Sequence, residues 1–258
     1  MRKLKRMLLR SGLPVTANNR KLRALKNRHR GEKGFFIGMG PSLGVEDLDL
    51  TRGGVSFACN KVFLCYDQTD WRPDYYSVID IKVAENNRDA IGALEGTKIF
   101  DVSVKPELGH IEDAIWVNGG LSDAEGRPVF NDDPFRGFGA GATVIFFQLQ
   151  LAWFMGIREF YLMGLDFSFK IPQKRAGDSI HGEVLQNEDE VNHFHPDYRK
   201  KNETWTMPDL DKQKEAFAAA RDFIEGRGGR IRNCSRKTEL DVFECESLER
   251  VAERDAEA

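Results

Sequence analysis

The strongest constraint on the fold is a short apolar run that breaks into a glycine turn. Phe35-Phe36-Ile37 is followed by Gly38-Met39-Gly40-Pro41-Ser42-Leu43. The run predicts a buried strand, and the turn behind it admits only small residues. Glycines there let backbone N–H groups approach a ligand closely. Pro41 pre-sets the turn, and the Ser42 hydroxyl falls where the next segment starts. N–H groups gathered in this way form a cradle for phosphate. The pattern lacks the third glycine of G-x-G-x-x-G and the Gly-Lys-Ser/Thr of the Walker loop. The same residues also make a plain tight turn after an edge strand.

Strand-like and helix-like segments alternate downstream. Val55–Cys59 reads as a strand ending at Asn60, Tyr75–Ile79 as one ending at Asp80, and Lys98–Val102 as a third. Residues 107–136 carry Gly, Asn, Asp and Pro clusters and read as loops around one short strand, Ala114–Val117. Gly141–Gly156 predicts a helix apolar nearly all round, hence buried, with Gly156 as its stop. Arg158–Met163 follows as a strand that ends at Gly164-Leu165-Asp166. Residues 170–207 are polar and weakly periodic, which predicts a functional lid rather than a linker. Asp209–Glu225 predicts an amphipathic helix capped by Asp209 and stopped by Gly226, with late strands at Arg230–Asn233 and Glu239–Phe243. This alternation predicts an α/β, Rossmann-like fold: a mostly parallel sheet flanked by helices, with a polar lid. The expected organisation is a basic arm over 1–33 and a single domain over 34–250.

A chain of 258 residues can bury a full core. Its formal net charge of −3 argues against a general nucleic-acid binder. Residues 1–33 are dense in Lys and Arg, with Glu32 as the one acid. Leu4, Met7, Leu8, Leu22 and Leu25 lay a thin apolar stripe through the first 30 residues, which suits a packed extension or contact with an anionic membrane or partner. Met7-Leu8-Leu9 is too short for a signal h-region, and the run from Ala142 to Ile157 is too short for a membrane span. Cys59, Cys65, Cys234 and Cys245 show neither a C-x-x-C pair nor zinc spacing. The expectation is a reduced, cytoplasmic protein, with peripheral attachment at the inner membrane as an open alternative.

Ligands of open α/β sheets sit at the carboxyl ends of the strands. Ser42, Asn60, Asp80 and Asp166 all fall at such ends, although each residue also suits ordinary turn chemistry. Asn192-His193-Phe194-His195-Pro196-Asp197-Tyr198 is the second strong feature. Its histidines could supply a general base or acid, or a metal ligand, against which Pro196 and the lack of a Cys partner argue. His181 is a weaker candidate in the same segment. Gly137, Gly139 and Gly141 precede the buried helix, either as a second anion site at its N-terminus or as packing glycines.

The G-x-G-P-S-L opening, the Cys59-Asn60 strand end and the Gly164-Leu165-Asp166-Phe167 block resemble two related families. They are the MptE-like 6-hydroxymethylpterin diphosphokinases and the Campylobacter-type sialyltransferases. The resemblance spans roughly residues 34–245. The sialyltransferase resemblance implies a CMP-sugar donor, a glycan acceptor, no required cofactor and a lid histidine as base. It implies Gly38, Gly40, Pro41 and Ser42 at the donor phosphate, Asn60 at the nucleotide and Asp166 at its pocket; Asp80 at a strand end, Gly141 before the buried helix and Gly164 complete the expected nucleotide-binding set. His193, His195 and Tyr198 become the catalytic candidates. One departure stands out: the tyrosine expected just after D-F is Ser168, a loss for which Tyr198 could substitute. The diphosphokinase resemblance implies ATP, a pterin and Mg²⁺ held by Asp80 and Asp166. A non-catalytic nucleotide-binding module is the third reading.

Overall fold

The computed structural model describes residues 13, 15–171, 174–179, 182–187 and 191–256. The first helix, α1, spans Ala17–Ala24 and is capped by Thr16, whose hydroxyl accepts from the Asn19 N–H. Leu22 and Leu25 are buried in the core, so this part of the apolar stripe faces inward. The chain beyond is pinned to the protein body by the N–H groups of Asn27 and His29, which donate to the carbonyls of Phe154 and Met155. The remainder of the expected arm, residues 1–12, lies outside the described residues.

β1 (Lys33–Ile37), β2 (Val55–Cys59) and β3 (Tyr75–Ser77) follow. Next come α2 (Ile81–Asn86), α3 (Arg88–Ala93), β4 (Thr97–Asp101), α4 (Lys105–Leu108) and β5 (Ile115–Val117). α5 (Val144–Phe154) then leads into β6 (Glu159–Met163). These strands and β10 (Arg230–Asn233) form one seven-stranded sheet in the order β10-β6-β1-β2-β3-β4-β5. Every pairing in it is parallel. The fold is therefore Rossmann-like, as the alternation predicts. The chain builds outward from β1 to β5, then returns through α5 to β6 on the other side of β1. That reversal opens a crevice between the carboxyl ends of β1 and β6.

Aromatic rings run across the strands under one face of the sheet. Phe160, Phe36, Phe57 and Tyr75 stack in sequence, with centroids 5.6, 4.8 and 5.1 Å apart. α5 is buried along its whole length, its two glutamines included. Gln148 donates to the Ala58 carbonyl of β2. Gln150 accepts from the N–H groups of Gly139 and Asn131 and donates back to the Gly139 carbonyl. Gln150 thereby satisfies backbone that would otherwise be buried unpaired, whereas Gln148 Oε1 has no partner among the described residues. No described helix is long and apolar enough to cross a membrane.

The polar segment 170–207 is not structureless. It contains a three-stranded antiparallel sheet, β7 (Arg175–Ser179), β8 (Gly182–Gln186) and β9 (Thr204–Thr206). β7 shows no apolar alternation because nearly all of it is exposed. α6 (Leu210–Glu225) is capped by Asp209 as expected. The strand expected at Glu239–Phe243 does not form. Leu240, Val242 and Phe243 are buried as loop side chains, and the nearest pairing is a lone bridge between Asn233 and Cys245. β3 stops at Ser77, short of the expected Ile79, because the chain turns there to cap α2 with Asp80. A last helix, α7 (Leu248–Ala256), buries Leu248 and Val251.

The small sheet is joined to the main body by a buried ion pair. Lys61 Nζ lies 2.6 Å from Glu203 Oε1, with side chains 6% and 13% exposed. Removing one partner of such a pair leaves an uncompensated buried charge, at a cost of about 3–5 kcal/mol. Glu203→Gln should therefore lower the urea midpoint and speed hydrogen exchange in β8 and β9. Lys61→Met combined with Glu203→Leu should recover most of the loss.

Candidate functional site

The carboxyl ends of the strands open into a cavity of about 580 Å³. Gly38, Gly40, Asn60, Asp80, Gly141, Gly164, Asp166, His193 and Tyr198 line it. Pro41 and His195 are not on its wall, and Ser42 lines a neighbouring cavity of about 260 Å³ with Asp47, Cys234 and Arg236. His181 lies outside the described residues.

The glycine turn makes its hydrogen bonds within the protein. Gly38 N–H donates to the Met163 carbonyl and Gly40 N–H to the Gly164 carbonyl, each at 2.8 Å. The Ser42 N–H and hydroxyl, expected at a phosphate, both donate to the Asp166 carboxylate, at 3.1 and 2.9 Å. An internal anion thus occupies the turn's donors. The glycines serve close approach between the β1 and β6 loops. A Cβ on Gly38 would stand 2.5 Å from the Gly164 carbonyl oxygen, and one on Gly40 would run into Asp166.

Other expected residues have structural partners too. Asp80 caps α2 by accepting from the N–H groups of Lys82 and Val83, and it also accepts from the Thr206 hydroxyl. Gly141 packs closely against Phe146 and Ala216, where a Cβ would collide, and it also lines the cavity. The α5 N-terminus beyond it still enters the cavity wall, through Ala142, Thr143 and Val144. Among the described residues no group of three His, Cys, Asp or Glu side chains has metal-site spacing.

Asn60, Ala142 and Phe167 adopt left-handed backbone, at φ 49°, 53° and 57°, and all three line the cavity. For Ala and Phe that conformation costs of order 1–3 kcal/mol and concentrates at functional sites. The buried Asn60 Oδ1, Ser103 Oγ and Trp205 Nε1 atoms have no hydrogen-bond partner among the described residues, and their residues also line it. Sequence reasoning missed Ala142, Phe167, Ser103 and Trp205. No local pattern distinguishes them, since their significance lies in backbone angle and missing partners.

The histidine segment is held over the glycine turn by Phe194 N–H, which donates to the Met39 carbonyl at 3.0 Å. His193 stacks flat on Tyr198, with centroids 3.7 Å apart and planes 3° from parallel. Burial pushes the Tyr198 phenol well above the ordinary tyrosine range, so it stays an O–H donor. His195 instead uses Nδ1 to accept from the Asp197 N–H. Lys212 and Arg199 bring positive charge to the cavity, and Arg199 lies 3.6 Å over the Trp205 ring. Burial pushes the Cys59 thiol up to about 12, so this cavity-lining cysteine is no thiolate near neutral pH.

The glycine contact is open to test. Gly40→Ala should cost more than about 2 kcal/mol, as overpacking against a fixed neighbour does. Ser42→Ala, which removes a single side-chain hydrogen bond, should cost roughly 1 kcal/mol. Denaturant midpoints compare the two, and an unchanged midpoint for Gly40→Ala would show that the close approach is not required.

No family model matches the chain, and no curated protein matches it either. The chain is similar in structure to the MAf glycosyltransferase from Magnetospirillum magneticum AMB-1, with a TM-score of 0.51 and 14% sequence identity. The match covers 95% of this chain but only 42% of that protein, so the chain spans less than half the length of its structural relative. At that identity the likeness establishes a shared fold: this Rossmann-like domain resembles one found in a glycosyltransferase.

Proposed function

We propose that the chain is a nucleotide-sugar glycosyltransferase acting on a bacterial surface glycan, with a CMP-linked acidic sugar as donor. One observation carries the reading: His193, stacked on Tyr198, lines a large cavity at the carboxyl ends of the switch-point strands. The fold shared with a glycosyltransferase supports the reaction class. The sialyltransferase resemblance of the sequence motifs supports the choice of donor.

The reaction is a single displacement. The acceptor hydroxyl oxygen attacks the anomeric carbon, and the bond from that carbon to the phosphate oxygen breaks. The phosphate leaves with the electron pair, and His193 takes the hydroxyl proton. Because Ser42 is committed to Asp166, the departing phosphate falls to other donors on the wall. These are the α5 N-terminus at Thr143, the Lys212 ammonium and the protonated Tyr198 phenol. Asp80 and Asp166 already accept several internal hydrogen bonds, which weakens the case for them as the Mg²⁺ pair of a kinase.

His193→Ala should cut transfer by ~10²–10⁴-fold with little change in nucleotide affinity, because a base acts in the chemical step. The wild-type rate should fall on acidification as the imidazole charges, and the variant should lose that limb of the profile. His195→Ala, off the cavity wall, should keep near-normal turnover. A thermal-shift series with CMP, CDP, UDP, GDP and ATP, each with and without Mg²⁺, tests the donor. Ligand at about 100 times its dissociation constant adds roughly 2.7 kcal/mol of stability. An ATP shift that requires Mg²⁺ would replace the transferase with the kinase.

A further inference from the structure

The cavity wall changes character from β6 to β4. On the β6 side and α6 it carries the rings of Phe167, Phe169 and Phe217. Such faces suit a nucleobase, which stacks on aromatic side chains. Around β4 and β5 the wall carries polar groups on Asp101, Ser103 and Asn118 and the glycines at 119 and 120, alongside the apolar Val102 and Phe147.

Asp101 ends β4 and is 8% exposed. Its Oδ1 accepts from the Ser103 N–H at 2.7 Å. Its Oδ2 has no donor among the described residues, and it lies so close to Gly119 that any Cβ there would collide with it. The Ser103 hydroxyl is buried without a partner, as is Asn60 Oδ1 further along the wall. Burying a hydroxyl or an amide oxygen unpaired is costly, while Asp101, with Oδ1 already accepting, presents Oδ2 to the cavity. These atoms are three acceptors, one of which, the hydroxyl, can also donate. A recess of this kind repels phosphate and carboxylate and attracts groups that donate hydrogen bonds.

We propose that Asp101, with Ser103 and Asn60, forms the specificity subsite for the sugar of the bound nucleotide-sugar, taking its hydroxyl and N–H groups. The inference rests on the transferase reading for the identity of the ligand. It follows that the anionic parts of the donor lie away from β4, toward the α5 N-terminus and Lys212. Asp101 is two strands from β2, about 10 Å at ordinary strand spacing, which leaves room for a sugar ring between the two ends.

Saturation-transfer NMR on the full chain tests the subsite, with free N-acetylneuraminic acid, free N-acetylglucosamine and CMP as separate probes. Asp101→Asn keeps the turn, since an Asn oxygen can accept the Ser103 N–H, but puts a donor where Oδ2 stood. Ser103→Ala is the second variant, and melting curves check that both fold. The wild type should saturate at least one saccharide, and each variant should bind it roughly tenfold more weakly while CMP binding is unchanged. Equal saccharide binding in both variants would overturn the subsite, as would no saccharide binding by the wild type. Parallel loss of CMP would also overturn it, because the recess would then hold the nucleoside. Saccharide binding that depends on Asp101 without any nucleotide binding would leave the subsite standing and sink the transferase reading instead.

Discussion

The contact on which the site depends is the meeting of two glycine loops at the ends of β1 and β6. A Cβ on Gly38 would stand 2.5 Å from the Gly164 carbonyl oxygen, and one on Gly164 would stand 2.6 Å from the Gly38 carbonyl oxygen. Neither position can carry a side chain without separating the strands. Asp166, one turn beyond, fills the space that the lack of a Cβ on Gly40 leaves, and takes both donors of Ser42. The switch point of the sheet is therefore locked before any ligand arrives. The Met39 carbonyl, held in that turn, receives the Phe194 N–H and positions the histidine segment.

The remaining walls are held by polar groups that pay for their burial with internal partners. Half-buried Asp80 caps α2, and fully buried Gln150 satisfies the loop that precedes α5. What these groups leave over gives the cavity its chemistry. Among the described residues, Asn60 Oδ1, Ser103 Oγ and Trp205 Nε1 have no partner, and Ala142 and Phe167 sit in strained backbone. Unpaired polar atoms and strained backbone on one surface mark a site organised for something other than its own stability.

The parallel sheet was legible in the sequence because most of its strands are short apolar runs stopped by Gly, Asn or Asp, with β10, Arg-Ile-Arg-Asn, as the polar exception. Val55–Cys59 and Arg230–Asn233 match to the residue. Helix α5 was legible from an apolar run bounded by glycines, with Gly156 at φ 98° where the stop was expected. The small antiparallel sheet was not, because exposed β7 has no face to pattern and β9 has three residues. Glu239–Phe243 misled in the opposite sense, since buried apolar residues in a loop look like those of a strand. At the site, residue types were legible but not their partners. Ser42 and Asp166 both suit a nucleotide pocket, and only the fold shows that they bond to each other.

That pairing also bears on how the cavity manages charge. Asp80, Asp101, Asp166 and Asp209 all line it, against Arg199 and Lys212, so formal charge alone would repel a nucleotide. Hydrogen bonding to N–H groups or hydroxyls spreads and screens the charge of a carboxylate, and each of the four accepts at least one such bond. Among the described residues, Asp101 is the buried member of the four with an oxygen that accepts no hydrogen bond. On the proposed reading, the Asp101 oxygen that accepts no hydrogen bond and the orphaned Ser103 hydroxyl take the hydroxylated end of the ligand, while Thr143 and Lys212 take its anionic end.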